Sequence, residues 1–122
     1  PDIPGVVIAA TGAFENASPQ ALGKVVELVA RATQLIRTKP AEAAGYVEAI
    51  LGGGLVDAAT MQKALASPAV DFISDIHLIE APTKALLAYQ VEIGDFATAP
   101  STEGLFEPLY SDRALKALPP SP

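Results

Sequence analysis

Apolar side chains recur at steps of three and four between Leu22 and Ile36. Leu22, Val25, Val26, Val29, Ala32 and Ile36 share one stripe, which Leu28 and Leu35 widen. This spacing follows the 3.6-residue turn and predicts an amphipathic helix over residues 18–38. Ser18 stands where a capping side chain belongs, and Pro19 where a missing N–H is harmless. Pro40 disfavours helical geometry at Lys39 and separates this helix from a second one over 40–51. In the second, Ala43, Ala44, Val47, Ile50 and Leu51 share a face, and Gly52-Gly53-Gly54 can end it in left-handed conformations. The pair is expected to form an αα-hairpin.

Further along, Asp57 is placed to cap a helix over 57–66 with Met61, Ala64 and Leu65 inward, closed by Ser67-Pro68. Val70 to Ile79 fits neither period and predicts an irregular connection. Pro82 then opens a helix over 82–93, with Leu86, Leu87, Tyr89, Gln90 and Ile93 available for burial and Gly94 beyond its end. A short helix over 111–117 precedes a tail at 118–122. Near the start, Val6-Val7-Ile8-Ala9-Ala10 is a β-branched run bounded by Pro4-Gly5 and Thr11-Gly12, which predicts a buried strand over 6–10. A lone strand cannot satisfy its own backbone groups, so this one needs a sheet that the remaining sequence scarcely offers. It is expected either to pair with another copy of the chain or to leave an apolar edge exposed. The expected class is mostly α, with four to five helices and one N-terminal strand. The helices starting at Pro19 and Pro40 do not superpose in pattern, which disfavours a repeat array.

Composition narrows this picture. The chain has 122 residues, half of them apolar and alanine foremost among these, with four Phe, three Tyr and no Trp. That is one domain or a piece of one, helix-rich and short of large anchors. Eight Lys and Arg face fourteen Asp and Glu, a net charge of -6, and the basic residues are scattered singly. Without a basic stripe for a phosphate backbone, no nucleic-acid partner is expected. Apolar runs such as Gly5 to Ala10 fall far short of the ~20 residues that span a bilayer. The absence of cysteine excludes disulfides and thiol chemistry. Pro1 stands in place of Met, which suggests a chain cut from something larger, with any signal segment or upstream domain lost.

Candidate chemistry is sparse. His77 is the single histidine, between Ile76 and Leu78 and near Asp75 and Glu80. It reads either as a general base or ligand contact oriented by a carboxylate, or as a hydrogen-bonded side chain on a half-buried connection. Nothing resembling a nucleophile elbow surrounds Ser18, Ser67, Ser74, Ser101 or Ser111, so no enzyme is expected. Asp71, Asp75 and Glu80 lack the spacing of a calcium loop, and neither metal nor cofactor is expected. The three glycines at 52–54 lack the Lys-Ser/Thr of a phosphate loop. Phe96, Phe106 and Tyr110 read as a stacking platform or, more plainly, as pins that hold the C-terminal segment on the helices.

The stretch from Leu86 to Leu115, LLAYQVEIGDFATAPSTEGLFEPLYSDRAL, resembles the C-terminal end of solute-binding proteins of the nitrate/sulfonate/taurine class of ABC importers. That class includes relatives that bind thiamine-pyrimidine precursors. An aromatic-bearing helix runs into Ile93-Gly94-Asp95, followed by a turn with Pro100 and then by Leu105, Phe106, Pro108 and Tyr110. Gly5 to Ala49 is also similar to the family: a strand, Phe14-Glu15-Asn16, the start Ser18-Pro19, then Lys39-Pro40-Ala41-Glu42-Ala43-Ala44. Family members often carry Trp and Asp where this chain has Ser101-Thr102-Glu103-Gly104. The resemblance implies two α/β lobes closing on a small solute and delivering it to an ABC permease in the periplasm or another extracytoplasmic space. This chain would be the C-terminal part of a type II periplasmic-binding-protein-like lobe. No family ligand contact transfers to a residue here; His77 is the one candidate from the residues themselves. The alternative is a stand-alone helical module whose hairpin, Ser18 to Leu51, docks a partner protein.

Overall fold

A computed structural model describes residues 3–51, 54 and 56–119. It is mostly helical: α1 (Gly12–Ala17), α2 (Pro19–Thr38), α3 (Pro40–Leu51), α4 (Ala58–Leu65), α5 (His77–Glu92) and α6 (Pro108–Ala117). The hairpin of α2 and α3 forms as its prolines dictate. Pro19 and Pro40 each open a helix, and the single residue Lys39 turns the chain between them, its N–H donating to Leu35 O at 2.7 Å. Ser18 caps with its backbone carbonyl only, which accepts from Leu22 N; its side chain makes no capping bond. α1 was not expected. Thr11 starts it, the Oγ1 accepting from Phe14 N at 3.2 Å.

α2 is the central element. α1, α3 and α6 pack on it, and α4 packs on the far part of α3. The seam is built from alanine: Ala30 on α2, Ala43 and Ala44 on α3 and Ala114 on α6 are buried, with Leu22 the one large apolar side chain among them. On α2, Leu22 and Ala30 are buried; of the expected stripe Val26, Val29, Leu35 and Ile36 are half-buried, and Val25, Leu28 and Ala32 lie exposed. Small side chains let the backbones approach, and Val25 and Leu28 sit at the rim. On α4, Met61 and Leu65 are half-buried as expected and Ala64 is exposed. Tyr110 of α6 lies over Gly23 of α2, where an added Cβ would sit 3.7 Å from the ring.

Three expectations need correction. Residues 6–10 form no strand; they have no regular structure, and Val6, Val7 and Ile8 are exposed. The described residues contain no strand to ladder with them. α5 begins at His77, five residues before Pro82; its N-cap Ile76 receives no side-chain capping bond, and Asp75 Oδ1 accepts from His77 N at 3.0 Å. The first turn is wound tightly, with Leu78 N on Asp75 O and Ile79 N on Ile76 O. Within α5, Leu86, Leu87 and Gln90 are half-buried, whereas Tyr89 and Ile93 are exposed. α6 begins at Pro108 rather than 111, since Glu107 caps it by accepting from Leu109 N at 3.0 Å.

The helix ends are closer to expectation. Gly94, with φ 86°, ends α5: its N–H donates to Val91 O and that of Asp95 to Gln90 O, the paired bonds of a Schellman turn. Gly54 adopts φ 112°, while Gly52 and Gly53 lie outside the described residues. In the expected tail, Pro119 O accepts from Gln34 Nε2 of α2 at 2.7 Å, and 120–122 lie outside the described residues.

Two outcomes follow. Leu22→Ala removes the largest contributor to the seam and should lower unfolding free energy by about 2–3 kcal/mol in denaturant titration. The Asp57 carboxyl of α4 is held below the usual range by the N–H and then the hydroxyl of Thr60, at 2.8 and 3.0 Å. A depressed folded-state pKa stabilises above the unfolded-state value, and this contribution is lost as pH falls through the folded one. Asp57→Asn keeps a capping oxygen and should flatten that part of the acid limb of stability, measured by chemical denaturation at a series of acidic pH values.

Candidate functional site

His77 stands at the first position of α5, and the fold brings it against α6. Its Nε2 lies 3.2 Å from Asp112 Oδ1, a residue 35 positions away. Both side chains are about half exposed, at 53% and 44%, so the contact is a surface one. Asp112 falls in the short helix expected over 111–117, and no local spacing announces a partner so distant. Asp75 engages the His77 backbone, not its ring. Glu80 faces Lys84 one turn along at 3.8 Å. Asp71 is exposed, and the expected carboxylate neighbours of His77 are thus directed elsewhere.

Beside this contact lies Ser111, the one buried polar residue among those described. Its Oγ donates to Ser74 O at 2.8 Å and accepts from Ile76 N at 3.4 Å. The hydroxyl proton is therefore committed to a carbonyl and is not offered to a base. Ser74 Oγ is buried with no protein partner. Chemically, the group formed by Ser74, Ile76, His77, Ser111 and Asp112 is a fastening that holds the start of α5 to α6. It matters because no helix packs extensively on α5. Arg37 Nη1 of α2 reaches Phe72 O at 3.5 Å and supports the same connection from the other side.

One concavity of about 450 Å³ opens between α5 and the turn at 101–106, lined by Glu80, Lys84, Ser101, Thr102, Glu103, Gly104 and Phe106. It is wide open to solvent, whereas small-molecule sites enclose most of their ligand. Its one cation is already paired with Glu80, and Glu103 adds a second acid. Among the described residues no three His, Asp or Glu side chains converge as metal ligands. Of the aromatic group, Phe106 and Tyr110 are half-buried, Tyr110 on α2, and Phe96 is more exposed. Burial and then the nearby Glu15 carboxylate raise the Tyr110 pKa, which keeps its hydroxyl neutral.

The most distinctive surface belongs to α3. Its only charged side chains are Glu42 and Glu48 and the rest are apolar apart from the Tyr46 hydroxyl, a composition richer in apolar residues than surface helices ordinarily have. One side is buried at Ala43 and Ala44. The other presents Ala41, Gly45 and Ala49 in a row, beside a second row of Glu42, Tyr46 at 57% and Ile50 at 83% exposure, with Glu42 3.4 Å from Lys39. A Cβ on Gly45 would meet nothing within 4 Å. A mid-helix glycine weakens the helix by roughly 1 kcal/mol relative to alanine, and nothing among the described residues uses the space it leaves.

Comparison with family models, with curated proteins and with solved structures finds no match to this chain.

If the fastening works as its geometry indicates, Ser111→Ala leaves Ser74 O and Ile76 N without their partner and should cost about 1–2 kcal/mol. Ser74→Ala should be nearly neutral, and His77→Ala should cost less than about 1 kcal/mol, as exposed pairs do. Thermal denaturation of the three variants checks the order.

Proposed function

We propose that the chain acts by packing its helices on a larger protein body, as the C-terminal portion of the substrate-binding component of an ABC importer. In this reading the small solute, of the nitrate, sulfonate, taurine or thiamine-precursor class, is captured in an extracytoplasmic cleft and passed to the permease. The observation that carries the packing role is the outward side of α3, where Tyr46 and Ile50 lie exposed around a glycine with empty space above it and Glu42 is the one charged residue in their row. The importer context rests on the ordered residues of Leu86 to Leu115 and of Gly5 to Ala49, not on a matched family.

The same α3 surface favours a second reading, an autonomous helical module that docks its α2–α3 hairpin on a separate protein. Both use one face and differ in what covers it. The α/β lobe of the importer reading also supplies a sheet for residues 6–10, which the module reading does not.

The coding sequence upstream of Pro1 separates them. A continuous frame of roughly 200 further residues behind a signal segment supports the importer component; a start codon close to Pro1 overturns it in favour of the module. Substitution at Gly45 tests the shared premise. In the 122-residue chain alone, Gly45→Ala should raise unfolding free energy by up to about 1 kcal/mol, because the added methyl meets nothing and the helix gains propensity. Gly45→Leu should likewise be tolerated in the chain alone, whereas in the intact parent, or bound to the docking partner, the same Gly45→Leu should weaken packing. Equal tolerance in both settings would overturn a covered α3.

A further inference from the structure

We propose that residues 6–10 of this chain form an antiparallel strand pair with the same residues of a second copy, making a closed dimer. The run is Val6-Val7-Ile8-Ala9-Ala10, with side chains of both alternating sets apolar, and Val6 is 95% exposed. Among the described residues, no backbone hydrogen bond involves residues 3–10 outside the helices, so their donors and acceptors are free to ladder. The described residues hold no strand of their own. In a solution of this chain, the segment best suited to ladder with residues 6–10 is therefore the same segment of another copy.

Charge selects the arrangement. Residues 3–14 carry no Asp, Glu, Lys or Arg, so two copies of the segment meet without repulsion although each chain carries -6. The helical body follows at Thr11. A parallel pair would bring the two acidic bodies side by side, whereas an antiparallel pair centred on Ile8 sets them at opposite ends of a ladder roughly 17 Å long. Adding a third copy would bring its charge against twice that of one chain, which opposes further growth. A two-stranded ladder is weak by itself, so the dimer belongs to the upper micromolar range and above. The inference does not rest on the importer reading, because it concerns only what this segment does when no sheet is offered to it.

Sedimentation velocity of the 122-residue chain from about 10 μM to 1 mM tests it. Wild type should shift from monomer towards dimer with concentration. Ile8→Lys places two ammonium groups opposite each other and should raise the dissociation constant at least about tenfold, and Ile8→Glu should do the same. An equimolar mixture of the two variants should restore association, which a mere folding defect would not. A monomer throughout the range, assembly larger than a dimer, association unaffected by Ile8→Lys, or failure of the mixture to recover would each overturn the proposal. None of these outcomes depends on what lies upstream of Pro1, so the two proposals fail separately.

Discussion

The packing of α3 and α6 on α2, with alanine buried on each of the three helices, is the arrangement on which the rest of the fold depends. Ala30, Ala43, Ala44 and Ala114 are nearly inaccessible to solvent, and no large side chain is fully buried among the described residues. Methyl groups allow helix axes to come close and make many dispersion contacts, but each removes little apolar area from water. The seam therefore orients the helices more strongly than it stabilises them. Its geometry decides which way α2 faces, and through α2 where α1, α3 and α6 lie.

The same contact explains the surface. When small residues occupy the centre, the larger ones are carried to the periphery, and Val25 and Leu28 of α2 and Tyr46 and Ile50 of α3 end up accessible. Single exposed apolar side chains are ordinary on a protein surface. An exposed side of a helix with only two charged residues is less so, because the helix then gains on one face alone what its composition equips it to gain on both. The interaction role proposed for α3 is a consequence of the alanine seam, not a feature added to it.

How much of this could be read from the letters depended on how local the deciding interaction is. The starts of α2 and α3 were legible because proline acts on its own φ and on its neighbour, and Asp57 was legible because a cap reaches only three residues. Gly94 was legible for the same reason. The start of α5 was obscured by Pro82, which looked like a first residue, while its true start lacks a side-chain cap and lies inside a stretch without clear period. The face of α2 was legible at Leu22, Val26, Val29, Leu35 and Ile36, while periodicity, which weights large residues, passed over the buried Ala30 and included Val25 and Leu28, which lie exposed. The pairings of His77 with Asp112 and of Ser111 with Ser74 join residues 35 and 37 positions apart, and no spacing rule encodes them.

Residues 6–10 mark the remaining difference between a helix and a strand. Each helix here closes its own hydrogen bonds, so capping and propensity suffice to form it even where the tertiary contacts are thin. A strand has no internal bonds to close, and its preference for β geometry is largely a preference for a surface to lie on. The β-branched run therefore carries a propensity that no strand among the described residues satisfies, and it remains irregular although its composition is unambiguous. An extended, uncharged segment with unpaired backbone is stable in isolation only while water solvates it, and it exchanges that solvation for a ladder whenever an edge is supplied. What supplies the edge, a sheet in a larger body or a second copy, then decides whether residues 6–10 are part of a fold or of an interface.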